Sequence, residues 1–148
     1  MREKLAELAV DDPDDWIVEN SALSDKVPAM VDFLYKRLQR RGYTERDVAR
    51  MVNQERNVFA ALLVALGHGD GMISGLTRTF SQTAREVGRV LDPAPGAVPF
   101  GVHMMIGKNT TVFLADTTIN ERPTAEQLAH IAKETAAVAR RMGHEPRV

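Results

Sequence analysis

An α/β fold, with a mixed sheet containing a β-hairpin flanked by helices, is what this sequence predicts, and three features carry the prediction. Val98, Phe100, Val102, Met104 and Ile106 alternate strictly with other residues, the period of a strand with one buried face. Gly107, Lys108 and Asn109 follow with turn chemistry, and residues 110–115 return as a second apolar run, together reading as a hairpin. On both sides of that pair, apolar residues recur at helical spacing.

Taken in order, residues 11–15 (Asp-Asp-Pro-Asp-Asp) break a short amphipathic start, and residues 16–20 are apolar enough for an edge strand. Residues 1–25 therefore read as an N-terminal segment ahead of a domain at 26–148. Ser24 precedes Val27, Met30, Val31, Leu34 and Leu38, which share one helical face. Pro28 is tolerated in a first turn and Gly42 supplies the stop. Thr44 and Asp47 have capping-box spacing, with Asp in place of Glu, and open a helix through Val48, Met51 and Val52. A further helix runs from about Asn57 to Leu66 and ends at Gly67, His68 and Gly69. Met72 and Ile73 then form a brief apolar strand that closes in Ser74 and Gly75. Behind this turn, Phe80, Ala84, Val87, Val90 and Leu91 mark the inward face of a helix ending before Pro93. After the hairpin, Thr124 and Gln127 form a capping box following Pro123. The helix behind them turns Leu128, Ile131, Ala132, Thr135, Ala136, Val138, Ala139 and Met142 inward, and Gly143 caps it. Residues 144–148 leave that helix as an αβ loop does and then stop, so the chain reads as a piece of a longer protein.

Composition narrows the function classes. A chain of 148 residues fits one domain that buries roughly 68–70% of its unfolded surface. With 44% apolar and 26% charged residues it has ordinary globular composition. A net charge of −1 gives no electrostatic basis for binding nucleic acid or an anionic membrane. There is no cysteine, which excludes a disulfide framework, Cys-zinc sites and a cysteine nucleophile. The longest purely apolar run, residues 58–66, is far short of the roughly 20 residues of a membrane span. No signal-peptide pattern opens the chain, so a cytoplasmic protein is expected.

The densest group able to bind an anion lies at residues 74–85. Ser74, Gly75, Arg78, Thr79, Thr83 and Arg85 cluster at a turn entering a helix, where exposed N–H groups and hydroxyls favour negative charge. The pattern is neither a P-loop nor a dinucleotide fingerprint, and an N-cap with no ligand stands beside the anion-site reading. Asp116 and Asn120 bracket a loop at the end of the second hairpin strand, a position used for ligands in α/β folds but also typical of Asx turns. His68, His103, His130 and His144 have no metal-ligand spacing, and His103 lies opposite Val102 and Met104 as an exposed or half-buried strand residue. Lys36, Arg37, Arg40 and Arg41 define a solvent face. Arg56, beside Asn53, Gln54 and Asn57, reads either as a polar interhelix connector or as a ligand contact.

Three blocks give the chain a resemblance. They are Arg-Arg-Gly-Tyr-Thr at 40–44 leading into residues 60–75, Phe-Leu-Ala-Asp-Thr-Thr-Ile-Asn at 113–120, and Pro-Thr-Ala-Glu-Gln-Leu-Ala at 123–129 running on to Gly-His-Glu-Pro-Arg-Val at 143–148. In this order, across residues 33–148, they resemble the phosphate acetyl/butyryltransferase (phosphotransacetylase) domain, specifically the version fused to the C-terminus of bacterial NADP-dependent malic enzymes. Acyltransferases of this family carry Gly-Ala-x-His-Ser-Thr-Ala-Asp-Thr-Leu-Arg at the turn. Here the same positions read Gly-Leu-Thr-Arg-Thr-Phe-Ser-Gln-Thr-Ala-Arg from Gly75 to Arg85. The histidine position is Arg78, and the hydroxyls after it are Thr79 and Phe80.

The resemblance implies a subdomain of the phosphotransacetylase fold, truncated at its C-terminus, with the family's remaining catalytic serine, arginine and aspartate beyond this chain. It implies a regulatory role in which acetyl-CoA is the effector, contacted by Ser74, Gly75, Arg78, Thr79, Thr83, Arg85, Asp116 and Asn120. It further implies a homodimer or higher oligomer, and partnership with a malic-enzyme domain of the same polypeptide that uses NADP and a divalent metal to convert malate to pyruvate and CO2. Two alternatives remain: an active acetyltransferase exchanging acetyl between CoA and phosphate, and a purely structural oligomerisation module.

Overall fold

The computed structural model describes residues 17–148, which divide into two compact units, the first ending at Asp92 and the second spanning Pro93–Val148. The first unit is helical. Helix α1 spans Val27–Leu38 and continues as a 3-10 turn over Gln39–Arg41, which ends at Gly42 with φ 86°, a left-handed conformation that costs glycine little. Pro sits in the first turn of α1, and the Ser24 hydroxyl accepts from the Lys26 backbone N–H. Helix α2, Glu45–Gln54, opens with the expected box: Thr44 accepts from the Asp47 N–H while the Asp47 carboxylate accepts from the Thr44 N–H. Helix α3 spans Arg56–Ala65 and α4 spans Phe80–Gly88.

These helices pack in sequence, α1 on α2, α2 on α3 and α3 on α4. Met30, Leu34 and Leu38 from α1 meet Val48, Met51 and Val52 from α2 and Val58, Phe59, Ala61 and Leu62 from α3, with Val90 closing the far side. Each fully buried Leu or Val contributes about 1.5–3 kcal/mol relative to remaining in water. Arg37 links the ends of the unit, donating to the Arg89 carbonyl and to Asp92.

The second unit holds strand β1, Val102–Ile106, strand β2, Thr111–Ala115, and helix α5, Ala125–Arg141. The strands pair antiparallel with Val102 opposite Ala115 and Ile106 opposite Thr111, and Gly107 donates to the Thr110 carbonyl to close the turn. Thr124 and Gln127 form the expected capping box, Gly143 ends the helix at φ 82°, and α5 packs on β2.

The α/β class and the hairpin are as expected. Several details differ. Residues 17–20 are irregular rather than an edge strand, and Trp16 lies outside the described residues. Met72 and Ile73 do not form a strand either. Extended chain becomes a strand only by pairing, and the sheet among the described residues consists of β1 and β2 alone. For the same reason residues 98–101 precede β1 instead of lengthening it. The alternation along β1 does not mark a buried face: Met104 and Ile106 are 40% and 75% exposed. In α4 the inward stripe is shifted. Phe80 and Ala84 face solvent, and Glu86 takes a buried place beside Val87 and Val90. In α5, Leu128 and Met142 are half exposed, so burial centres on Ile131, Ala136 and Ala139.

Candidate functional site

The candidate site is built where α3, the connection at residues 66–79 and α4 come together. Helix α3 ends as Gly67 turns the chain at φ 78°. Met72 is partly buried against the core, whereas residues 73–81 run exposed along the surface. Leu76 adopts φ 65° and is fully exposed. A left-handed leucine is sterically costly, and the Thr77 N–H donates to the Gly75 carbonyl across it at 2.9 Å. Thr79 then ends the turn: its hydroxyl accepts from the Gln82 N–H and caps α4.

Beneath the turn is a buried polar network. The Ser74 hydroxyl donates to Asn57 Oδ1 at 2.6 Å, and Asn57 Nδ2 donates to Glu86 Oε2 at 2.7 Å and to Thr83 Oγ1 at 3.3 Å. Gln82 Nε2 donates to the other Glu86 oxygen at 2.8 Å. Asn57 and Glu86 are 6% and 5% exposed, and a buried carboxylate persists only when its oxygens are satisfied.

Two hollows flank the turn. One, of about 380 Å³, is lined by Arg78, Arg85 and Arg89 together with Glu55 and Glu86. The other, of about 540 Å³, lies against Arg56, Asn57, Ala60, Ile73 and Ser74. Arg78 lines both. Arg89 is held by Glu55 at 2.8 Å, and Glu86 is satisfied by amides. Arg78 and Arg85 form no ion pair among the described residues. None of the four histidines lines either hollow.

Asp116 and Asn120 belong to the second unit, apart from the residue 74–85 group in the first. Asp116 Oδ1 accepts from the N–H groups of Gly101, Thr118 and Ile119, and Oδ2 accepts from the backbone and side chain of Asn120. Partial burial works to raise its pKa. The donors from Thr118, Asn120 and Gly101 outweigh it and hold the carboxyl well below the usual range. The Asn120 amide also donates to the Pro99 carbonyl. The observed chemistry is thus an Asx-type arrangement that orders the loop. His103 is exposed, with Nδ1 2.9 Å from Thr117 Oγ1. Among the described residues no grouping of three or more His, Cys, Asp or Glu could hold a metal ion, and no helix is long and apolar enough to cross a membrane.

The expected residues Ser74, Gly75, Arg78, Thr79, Thr83 and Arg85 all fall on this turn and the start of α4. Sequence reasoning missed Glu86 and undervalued Asn57, expected only as part of a connector beside Arg56. A signal was present: each is a polar residue on the inward stripe of its helix, Asn57 four residues before Ala61 and Glu86 four before Val90.

The sequence profile of the phosphate acetyl/butaryl transferase family matches residues 1–148. The chain belongs to this family. It is 50% identical over 131 residues to an NADP-dependent malic enzyme of Rhizobium meliloti (strain 1021), covering 88% of the chain and 17% of that protein. A phosphate acetyltransferase of Synechocystis sp. is 35% identical over 102 residues, 68% of the chain and 15% of that protein. The chain therefore spans about one-sixth of the length of these curated relatives. Among solved structures, the EutD phosphotransacetylase from Staphylococcus aureus superposes with a TM-score of 0.78 at 27% identity, over 97% of this chain and 43% of that one. The fold is a subdomain of the phosphotransacetylase fold.

Proposed function

We propose that this phosphotransacetylase-family subdomain is a regulatory module of an NADP-dependent malic enzyme, binding acetyl-CoA at the residue 74–85 turn without transferring its acetyl group. The observation that carries the reading is Arg78, which lines the hollows on both sides of the turn at the position where the family's acyltransferases have a histidine. An imidazole can give and take a proton near neutral pH. A guanidinium stays charged and can only donate hydrogen bonds. Replacing one with the other exchanges proton transfer for anion binding. Arg85 lines the same hollow as Arg78, and an acyl-CoA carries two singly charged phosphates in its diphosphate and a phosphomonoester that is nearly dianionic, the kind of charge that guanidinium groups recognise.

The neighbouring side chains argue against acyl transfer. Thr79 is committed to capping α4, Ser74 donates to Asn57, and Phe80 is a half-exposed ring where the acyltransferases have a small hydroxyl residue. On the hairpin, Met105, Val112 and Leu114 leave one apolar face 41–58% exposed, which supports the reading that the module self-associates or packs on the rest of its protein. The same reading makes the whole polypeptide a cytoplasmic malic enzyme whose NADP and divalent metal belong to its malate-oxidising domain. Asp116 and Asn120 order their own loop in the second unit.

The test uses the full-length gene product. Malate-dependent NADP reduction should respond to acetyl-CoA, and no acetyl phosphate should form from acetyl-CoA and phosphate. Sustained acetyl phosphate formation would establish the acyltransferase instead. A wild-type enzyme indifferent to acetyl-CoA would leave the structural role.

A further inference from the structure

We infer that Asn57 and Glu86 are positioning residues that set the place of Arg78, by tethering the turn through Ser74 to the first turns of α4. The inference rests on the acetyl-CoA reading for its ligand but not for its geometry. Glu86 accepts a hydrogen bond at each of its oxygens, and the Asn57 amide presents Nδ2 to it and its own oxygen to Ser74. That orientation matches the observed distances of 2.7 Å to Glu86 and 2.6 Å from Ser74. Thr83 takes the second Asn57 proton and Gln82 fills the remaining Glu86 oxygen, leaving no buried side-chain donor or acceptor unpaired among the described residues. Ser74 is thereby the one side chain of residues 73–78 with a hydrogen bond into the buried layer. The tether ends four residues before Arg78, in a segment that is otherwise exposed and passes through the left-handed Leu76.

The network has a directed logic that a swap can read. In Asn57→Asp, two carboxylates face each other across the Asn57–Glu86 contact and repel. In the double variant Asn57→Asp/Glu86→Gln, donor and acceptor exchange places. The carboxylate at 57 accepts from Ser74 and from the new amide, whose oxygen still accepts from Gln82. Ser74→Ala, at an exposed position, cuts the tether without entering the core. A merely structural pair would change thermal stability alone, whereas a positioning pair changes the order of the turn and the binding of its ligand.

Trypsin cleavage after Arg78 reports opening of the turn when reclosing is fast, and mass spectrometry identifies that cut in the full-length protein above neutral pH. Acetyl-CoA affinity is measured by calorimetry on the same samples. Asn57→Asp should raise cleavage at Arg78 and weaken acetyl-CoA binding at least tenfold, equivalent to about 1.4 kcal/mol. Ser74→Ala should raise cleavage several-fold with a smaller fall in melting temperature than Asn57→Asp, and the double variant should return within about threefold of wild type in both readouts. Wild-type cleavage rates in Ser74→Ala and Asn57→Asp, or a double variant no better protected than Asn57→Asp, would overturn the tether. If the cleavage pattern holds while wild type binds no acetyl-CoA, the tether stands and the regulatory reading falls.

Discussion

Asp116 shows how a single side chain can organise a loop. Five donors converge on its two oxygens, and together they hold its pKa below the ordinary carboxylate value. Because the folded pKa is depressed, the stability it contributes is full above the unfolded pKa, about 3.9, and is lost as pH falls through the folded value. At neutral pH Asp116→Asn should cost about 1.5–3 kcal/mol, from charged hydrogen bonds lost and an amide facing donors. The gap between urea titrations of the two proteins should be full at neutral pH and begin to narrow only as pH falls below about 4. A gap independent of pH would show that the carboxylate charge is not what holds the loop. In the first unit Leu34 is fully buried among α1, α2 and α3, so Leu34→Ala should cost about 2–5 kcal/mol in the same experiment. Asp116 and Asn120 were legible as a loop pair in the sequence, but the five bonds were not. One of them brings Gly101 to Asp116 from 15 residues away, a separate bond joins Asn120 to Pro99 across 21 residues, and nothing local in a sequence announces such a return.

Individual helices were the most legible elements because their signals are local. Both capping boxes, Thr44 with Asp47 and Thr124 with Gln127, follow from spacing alone and are formed. Thr124→Ala should therefore lower stability by about 1 kcal/mol, read as a fall in thermal midpoint of the second unit. An unchanged midpoint would mean that packing on β2, not the cap, fixes the start of α5. Strands were less legible, since alternation records which residues could share a face but not whether anything covers it. Val98 and Phe100 continue the alternation of β1, yet β1 begins at Val102, where pairing with Ala115 begins. Met72 and Ile73 likewise have strand composition and no partner strand. In α4 the apolar count pointed to Phe80 and Ala84, whereas the buried stripe carries Glu86. The amides of Asn57 and Gln82 stabilise a carboxylate there that composition alone would have placed outside.

At the scale of the whole molecule, the family match extends over residues 1–148. Here the turn sits on a fully satisfied polar layer, with two hollows beside it and Arg78 lining both. The family and its turn were legible from motif order. The tether beneath the turn was not, because Ser74, Asn57 and Glu86 come from three separate segments. The central claim is that the turn senses an acyl-CoA rather than turning it over. Its most direct test is calorimetric titration of acetyl-CoA into the full-length protein and into its Arg78→Ala/Arg85→Ala variant. Losing two guanidinium contacts to an anion should weaken binding by at least about tenfold. Equal affinities in the two proteins would contradict the account and place the ligand, if there is one, elsewhere.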